Sequence, residues 1–290
     1  MFGQKRFSGV NSRLNAAFAD KHVLIAAHRG SWHGNVIQNT SRAYRAAIMM
    51  GADMLETDTT ISKDGTVYSL HDGVEPVLLG LSWNAMHLTQ AQIESQTCHN
   101  SLGVPCLQKV ETLDTVFDNL KNGELINIDR SWRARGKVLE VLDQHPHMLS
   151  QALVKAPLRE RQVLEQLNAH EKKYMFMPIC YSLSDVKEAL AYENINTVGV
   201  ELIAKNRDSE MFSKEAIRYI HEQGLFCWVN ALVITDYDPE EALYAGLDDD
   251  VSINEGPEKG WGALMDMGID LIQTDWPSLL RDYRRARFGV

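Results

Sequence analysis

Two acidic residues that lie close together, Glu56 and Asp58, offer the clearest chemistry in this 290-residue chain. In a strand, a spacing of two places both carboxylates on the same face. Neighbouring carboxylates repel each other unless a cation or a proton offsets their charge, and Asp129 offers a third oxygen ligand. We therefore predict that these three residues bind one divalent cation. The alternative is that the carboxylates simply meet solvent.

Two histidines, His28 and His71, stand at the ends of predicted strands. An imidazole exchanges protons near neutral pH, and cleavage of a phosphate ester requires both an acid and a base. Arg29 follows His28, and its planar donors suit a phosphate, although an ion pair at the strand end is the alternative. Lys155 ends a further predicted strand. These residue types indicate a site for phosphate ester chemistry.

The elements that must position these residues are eight short apolar runs separated by helical patterns, which is typical of parallel strands linked by helices. The runs are 23–27, 53–57, 124–128, 151–154, 174–178, 197–201, 225–230 and 270–274. The pattern predicts an α/β fold, a TIM-type (β/α)8 barrel, with a doubly wound open sheet as the alternative. In such barrels the active site lies at the carboxyl-terminal ends of the strands, so all of these polar residues are expected to face one cavity.

One segment interrupts the alternation of strands and helices. Asp64-Gly65 lies between two β-prone runs, which predicts an extra β-hairpin after strand two, with residues 66–71 as its returning strand. Residues 72–123 then form a long excursion for which we predict two helices, one of them from about Thr112 to Lys121. The acidic run 248–250 is interpreted as a solvated loop or a helix cap.

Composition sets the class of protein. Apolar residues make up 44% of the chain and charged residues 23%, and the 29 basic against 39 acidic residues give a net charge of -10. This balance argues against nucleic acid and anionic membranes as general partners. Four cysteines without a paired motif, and no apolar run of signal-peptide or membrane-spanning length, predict a cytoplasmic protein without a transmembrane segment. We predict a single domain, 1–290, and no feature indicates the oligomeric state.

Several of these motifs, in their order and spacing, resemble the signature of the glycerophosphodiester phosphodiesterase family over residues 23 to about 280. The motifs are Ala27-His28-Arg29-Gly30, Asn39-Thr40, Gly51-Ala52-Asp53-Met54-Leu55-Glu56-Thr57-Asp58, Lys63-Asp64-Gly65, His71-Asp72, Trp228-Val229-Asn230 and Thr274-Asp275-Trp276-Pro277. The resemblance implies a TIM-type barrel over 23–280 that acts on a small-molecule phosphodiester.

The resemblance also implies roles for individual residues. His28 and His71 are expected to be the general acid and base, and Glu56 and Asp58, with Asp129 as the third acid, are expected to hold Mg²⁺ or Ca²⁺. Family members usually form a cyclic phosphate by attack of the neighbouring glycerol hydroxyl and then hydrolyse it. Arg29 is expected to stabilise charge on the phosphoryl oxygens.

For the late strand we expect Trp228 and Asn230 to share one face and to point into the barrel mouth. In that position Trp228 is expected to supply an apolar wall for the substrate, with ordinary core packing as the alternative. Asn230 is expected to contact the substrate beside it.

The chain departs from the family pattern in three places. Gln38 stands where the family usually has Glu, and Asp129-Arg130-Ser131 replaces the usual E-x-K. Lys155 is expected either to supply the missing ammonium or to be a surface lysine. The segment 74–110 carries few of the recognisable motifs of the family's substrate-covering insertion.

These departures leave other functions open. A sphingomyelinase D-like or phospholipase-like phosphodiesterase is one alternative, and a non-catalytic barrel that binds a phosphorylated ligand is another. A metal-dependent amidohydrolase is disfavoured because strand one carries His28-Arg29-Gly30 instead of H-x-H.

Overall fold

Eight parallel strands close into a barrel in the computed structural model, which describes residues 1–235, 238 and 241–289. The strands in this part of the chain are β1 (Leu24–Ala27), β2 (Met54–Ile61), β3 (Val67–Ser69), β4 (Cys98–His99), β5 (Pro105–Cys106), β6 (Glu111–Thr112), β7 (Leu125–Asp129), β8 (Ala152–Pro157), β9 (Met175–Cys180), β10 (Asn196–Thr197), β11 (Gly199–Leu202), β12 (Phe226–Asn230) and β13 (Leu271–Thr274). The barrel order is β1, β2, β7, β8, β9, β11, β12, β13, and β1 pairs with both β2 and β13. The predicted TIM-type barrel is confirmed, and the open sheet is excluded.

Helices cover the outside of the barrel. Those in the described residues are α1 (Ser12–Asp20), α2 (Ser41–Met49), α3 (Glu75–Leu78), α4 (Gln90–Glu94), α5 (Leu113–Asn119), α6 (Lys137–Gln144), α7 (Arg161–Ala169), α8 (Leu183–Ala191), α9 (Lys214–Glu222), α10 (Asp249–Asn254), α11 (Ala263–Met267) and α12 (Pro277–Phe288). The Thr40 hydroxyl accepts the backbone N–H of Ala43 and begins α2 next to the barrel mouth. None of the described helices has the length and apolarity needed to cross a bilayer.

The barrel interior follows from the alternation of side chains along each strand. Inward-facing residues such as Met54, Leu153 and Met175 pack around Trp228 in one buried apolar cluster. Outward-facing residues such as Ile126 and Val154 pack in a second cluster with the covering helices. The inward positions two residues further along β2 and β8 are Glu56 and Lys155, so on these strands the apolar core ends where the mouth begins.

The predicted hairpin after strand two is present. β3 runs antiparallel to β2, with Thr59 opposite Ser69, and Gly65 adopts a positive φ of 95° in the connecting turn. The excursion that follows differs from the prediction of two helices. It contains the expected α5, capped by Thr112, but also two short helices, α3 and α4, and the small hairpin of β4 and β5. Helices of four or five residues carry too little periodicity to be recognised in a sequence.

Candidate active site

The three predicted metal ligands lie together at the carboxyl-terminal mouth of the barrel. Asp58 on β2 is the register partner of Asp129 on β7, and Glu56 lies two residues earlier on the same face of β2. One carboxylate oxygen from each of the three residues lies within 4.8 Å of the others. Glu56 and Asp58 are 1% and 3% exposed. Strand register therefore brings three oxygen donors together, two of them buried and that of Asp129 partly exposed.

The charges around this acidic cluster are unevenly balanced. Asp58 has the guanidinium of Arg29 at 2.9 Å, and Asp129 has the ammonium of Lys155 at 2.9 Å. Among the contacts within the described residues, Glu56 accepts a backbone N–H of Arg29 and has no cationic side chain of its own. Burial, with repulsion from Asp58 and Asp129, raises the pKa of Glu56 well above its usual value. Three hard oxygen donors with an uncompensated charge fit a divalent cation.

Arg29 lies on a strained turn directly after β1, where its backbone φ is 54°. The next residue, Gly30, also has a positive φ of 75°, and a Cβ there would lie 2.6 Å from the Ala43 carbonyl carbon. This turn aims the Arg29 N–H at Glu56, and the Arg29 Nη1 donates to Gln38 Oε1 at 2.8 Å. Gln38 is thus a partner of Arg29 at the position where the family usually has an acid. In this structure Arg29 makes the ion pair with Asp58 that was the alternative to phosphate binding.

The two predicted acid and base residues are both close enough to Asp58 to influence it electrostatically. The positive charge that each imidazole can carry lowers the pKa of Asp58, together with Arg29, against the opposing effect of burial. Burial lowers the pKa of His71, and its Nδ1 has no hydrogen-bond partner among the described residues. His28 Nδ1 is 2.8 Å from Asp275 Oδ1. The barrel thus brings both histidines to the acidic cluster.

Asp275 is a site residue that sequence reasoning did not assign, although it belongs to the T-D-x-P motif that follows β13. Its backbone N–H donates to Asp249, which also accepts from the Thr274 hydroxyl and the Trp261 indole N–H. Asp249 is 2% exposed, so the interpretation of the 248–250 run as a solvated loop or cap is wrong at its central residue. Asp248 does cap α10, by accepting the N–H of Val251.

Lys155 is fully buried, which excludes the surface-lysine alternative. Its ammonium lies 2.9 Å from Asp129 on β7 and 2.7 Å from Glu201 on β11. Burial alone would lower the pKa of Lys155, but Asp129, Glu201 and Glu56 outweigh it and raise the pKa. Sequence reasoning did not assign Glu201 to the site because it stands inside an apolar run. A single acid on the inward face of a barrel strand is the signal that could have identified it.

The structure corrects the role that we expected for Trp228. Its indole N–H donates to Asn230 Oδ1 at 2.8 Å, so the two side chains do lie on the same side of β12. Trp228 has no exposed surface and packs in the barrel core, with the Lys155 ammonium 5.6 Å from its ring centre. A side chain without exposed surface cannot form the expected apolar wall. Asn230, 8% exposed, donates to Glu201 and so belongs to the buried support of Lys155.

A second group of metal-type ligands, His221, Cys227 and Asp270, lies at the opposite end of the barrel. There the Asp270 carboxylate accepts the backbone N–H of Cys227 at 2.7 Å and contacts His221 Nε2 at 2.7 Å. Asp53 makes the equivalent bond to the N–H of Ile25 at the start of β1. Because both aspartates fasten the beginning of a neighbouring strand, we assign this group to barrel closure.

A closed barrel with carboxylates, two histidines and an arginine at its carboxyl-terminal mouth defines the class, a TIM barrel with an enzyme-type site. The model of the glycerophosphoryl diester phosphodiesterase family matches residues 28–229. The chain belongs to this family. A second family model, described as a domain of unknown function, matches residues 176–284.

Among curated proteins, the chain is 30% identical over 112 residues to a lysophospholipase D of Rattus norvegicus, which is 39% of this chain and 34% of the rat protein. A glycerophosphodiester phosphodiesterase of Caldanaerobacter subterraneus is 42% identical over 50 residues, 17% of this chain and 20% of that protein. These matches thus span about a third or less of the relatives' lengths.

Solved structures share the fold. A glycerophosphoryl diester phosphodiesterase of Parabacteroides distasonis aligns with a TM-score of 0.69 and 12% identity over 94% of this chain and 92% of the other. A phosphodiesterase of Oleispira antarctica, in complex with the product sn-glycerol-3-phosphate, aligns with a TM-score of 0.65 and 15% identity over 92% and 98%. At these identities the likeness concerns the fold alone.

Proposed function

We propose that this protein is a metal-dependent phosphodiesterase that hydrolyses a glycerophosphodiester to glycerol phosphate and an alcohol. The observation that carries the proposal is the convergence of Glu56, Asp58 and Asp129 within 4.8 Å, with both histidines close enough to act on Asp58. Family membership supports it, as do the activities for which the rat and Caldanaerobacter relatives are named. Its substrate is a small molecule.

In the proposed reaction the two histidines divide the proton transfers. One imidazole takes the proton of the glycerol hydroxyl next to the phosphate as that oxygen bonds to phosphorus. The other gives a proton to the leaving alkoxide as its bond to phosphorus breaks, which leaves a cyclic phosphate. Water then opens the ring with the two proton transfers reversed. His28 and His71 take these roles from opposite sides of the phosphorus.

The remaining residues of the mouth bind and orient the substrate. Arg29 moves its guanidinium from Asp58 toward a phosphoryl oxygen, since planar N–H donors match a phosphate well. Lys155, held beside Asp129 by Glu201, supplies the ammonium that the family usually places two residues after its third acid. Asp275 and Asn230 hold His28 and Glu201 in place and do not themselves react.

The cation that completes this site is proposed to be Mg²⁺ or Ca²⁺, held by Glu56, Asp58 and Asp129, because hard cations prefer carboxylate oxygens. When bound, it stabilises the negative charge that develops on the phosphoryl oxygens. We also propose the cytoplasm as the compartment, since the four cysteines carry free thiols.

The test is an activity panel with glycerophosphocholine, glycerophosphoethanolamine, glycerophosphoinositol and bis(p-nitrophenyl) phosphate. Each is assayed with Mg²⁺, with Ca²⁺ and after exhaustive chelation, for the wild type and for His71→Ala. We expect glycerol phosphate to be released from at least one glycerophosphodiester, only with a divalent cation, and at least roughly 100-fold more slowly by His71→Ala than by the wild type. Absence of hydrolysis with every substrate and cation would leave the non-catalytic, phosphate-binding barrel as the better description.

A further inference from the structure

The four cysteines of the chain, all of them free thiols, lie in two different surroundings. Cys180 on β9 and Cys227 on β12 belong to the barrel wall and have no exposed surface. Cys98 and Cys106 instead lie in the β4–β5 hairpin, which is a two-stranded sheet separate from the barrel sheet. The hairpin therefore holds two thiols outside both the barrel and the candidate active site.

The two hairpin cysteines are directly opposite each other. Cys98 is the register partner of Cys106 in an antiparallel pair, so their side chains lie on the same face of the hairpin. The Asn100 N–H donates to the Val104 carbonyl at 2.9 Å. By the alternation of an antiparallel pair, the two cysteines are then also a hydrogen-bonded pair, whose Cα atoms lie about 5.5 Å apart. This separation falls within the roughly 4.4 to 6.8 Å that a disulfide spans.

The two thiols differ in their access to solvent. Cys98 is 1% exposed and packs in an apolar cluster with Ile93 and Val110, whereas Cys106 is half-buried and packs against that cluster from outside. Burial raises the pKa of the Cys98 thiol, against the opposing effects of the Val110 backbone N–H and the Lys109 ammonium. Because a dissolved oxidant reaches exposed thiols first, Cys106 is the thiol that it meets, with Cys98 held opposite.

The hairpin forms part of the wall of the barrel mouth. Asn100 Nδ2 donates to Asn35 Oδ1 at 3.2 Å, and the Ser101 hydroxyl donates to the Gly34 carbonyl at 2.8 Å. These partners lie in the loop between β1 and α2, which also carries Arg29, and Arg29 lines one cavity together with Asn100 and Ser101. A covalent bond across the base of the hairpin would therefore restrain the wall beside Arg29.

We propose that Cys98 and Cys106 are a reversible oxidation site, at which a peroxide converts the two thiols into one disulfide that restrains the hairpin. The Cys106 thiolate attacks a peroxide oxygen, the O–O bond breaks, and the leaving hydroxide takes the thiol proton to become water. The sulfenic acid left on Cys106 is then attacked by the Cys98 sulfur. The S–O bond breaks, and the hydroxyl leaves with the Cys98 proton as a second water, so two thiols reduce one peroxide to two waters.

A disulfide at this position is expected to be easy to reduce. Opposite side chains of an antiparallel pair have Cβ atoms about 4.5 to 5.5 Å apart, whereas a disulfide holds them about 3.5 to 4.5 Å apart. The two strands of the hairpin must therefore draw these side chains together, and a strained disulfide is readily opened by a dithiol. A bond of this kind suits a reducing compartment, where disulfides are transient.

The first experiment titrates the whole chain with hydrogen peroxide, counts thiols after denaturation, and maps the peptides by mass spectrometry without reduction. We expect two of the four thiols to disappear together, with Cys98 linked to Cys106 and both thiols restored by dithiothreitol. Oxidation of Cys106 to a sulfinic acid without a link would overturn the proposal. So would a disulfide that joins two copies of the chain.

Variants separate the roles of the two thiols. Cys98→Ala should leave a sulfenic acid on Cys106 that dimedone traps, and Cys106→Ser, at a half-buried position, should react with peroxide at least roughly tenfold more slowly. Cys227→Ala is the matched control, because it removes a buried barrel thiol and should form the hairpin disulfide as the wild type does. An intramolecular disulfide that persists in Cys106→Ser would assign the oxidation to another pair and overturn the proposal.

Hydrogen exchange tests the restraint on the hairpin. The backbone N–H groups of Leu102 and Val104 donate to Asn100 Oδ1 at 3.0 and 3.1 Å, so they report on the hairpin tip. We expect their exchange to slow by roughly tenfold or more in the oxidised protein, because the disulfide limits local opening. Amides of β12 in the barrel should not change. Equal exchange at Leu102 and Val104 in the reduced and oxidised proteins would overturn the restraint. Because no experiment here measures turnover, the result does not depend on the proposed function.

Discussion

His28 Nδ1 lies 2.8 Å from Asp275 Oδ1, across the junction where the first and last strands of the barrel meet. The pair is possible only because β1 and β13 are register neighbours, with Ala27 opposite Thr274 at the strand ends. A carboxylate on one ring nitrogen fixes the orientation of the imidazole and leaves the other nitrogen, Nε2, for proton transfer. Asp249 in turn holds the Asp275 backbone.

The first prediction concerns this pair. Asp275→Asn should lower kcat by roughly 10- to 100-fold with little change in KM, because the substrate contacts remain and only the orientation of His28 is lost. Steady-state kinetics on the best substrate measures the changes in kcat and KM separately. Asp282→Asn, which changes an exposed carboxylate on the following helix, α12, is the control and should behave as wild type. A change in KM alone would contradict an orienting role.

Much of this mouth could be predicted from sequence because strand ends are recognisable one strand at a time. Glu56, Asp58 and His71 were found that way, since each follows an apolar run or a turn signal. Contacts between distant strands could not be found, because they depend on barrel closure and stagger. The pairing of Lys155 with Glu201 is of this kind. The depth of Trp228 in the core is another example, because the alternation of side chains along a strand shows which face a residue occupies but not how deep in the barrel it lies.

The second prediction concerns the proton transfers. His28→Ala and His71→Ala should each lower kcat by roughly 10²- to 10⁴-fold, since each removes one positioned proton transfer. The double variant should lose far less than the product of the two single losses, because the histidines act as a unit. Circular dichroism and metal titration should match the wild type. A single alanine variant with near wild-type turnover would rule out the two-histidine mechanism.

The third prediction concerns the acidic cluster. Glu56→Gln should raise the unfolding temperature relative to the wild type without metal and lower it relative to the wild type with metal. Without metal, the variant should unfold at a higher temperature than the wild type, since one of three mutually repelling carboxylates is neutral. With added Mg²⁺ or Ca²⁺, the wild type should gain stability through binding while the variant gains little. Turnover should fall with metal affinity. Thermal unfolding with and without chelator measures both effects.

Glu140→Gln serves as the control for this experiment, because Glu140 is an exposed residue whose contact is a surface ion pair with Lys137. It should change neither the unfolding temperature nor the response to metal. If wild-type activity survives exhaustive chelation, the metal site is not part of the reaction.

The fourth prediction concerns the pH dependence of stability. Burial raises the pKa of Asp249 from its usual 3.8 to about 7. A carboxyl whose pKa is raised in the folded state stabilises the fold fully below its unfolded pKa, and this contribution is lost as pH rises through about 7. The free energy of unfolding should therefore fall by at most about 4 kcal/mol across this range.

Urea denaturation at several pH values between 4 and 8 checks this, with Asp249→Asn compared with the wild type. In the wild type the free energy of unfolding should decrease as the pH approaches 7. Asp249→Asn should lack the part of this decrease that comes from Asp249, whatever its absolute stability. Asp250→Asn, at the exposed neighbouring position, should keep the wild-type slope. Identical slopes in the wild type and Asp249→Asn would refute the raised pKa.

The fifth prediction separates structure from catalysis at Lys155. Lys155→Met leaves the buried carboxylate of Glu201 and the partly exposed carboxylate of Asp129 without their cation, and should lower the free energy of unfolding by roughly 3–5 kcal/mol. The double variant Lys155→Met with Glu201→Gln removes one of those unpaired charges and keeps an amide for Asn230. It should recover a large part of the lost stability.

Turnover then decides what the ammonium does. If Lys155 stabilises charge on the phosphoryl oxygens, the double variant should remain roughly 10²-fold or more below the wild type in kcat. The stability that the second substitution restores does not replace a missing cation at the phosphate. Glu201→Gln alone should lose less, since Asp129 still holds the ammonium at 2.9 Å. Recovery of turnover in parallel with stability would instead assign Lys155 to the support of the barrel mouth, with Arg29 as the cationic side chain that meets the phosphate.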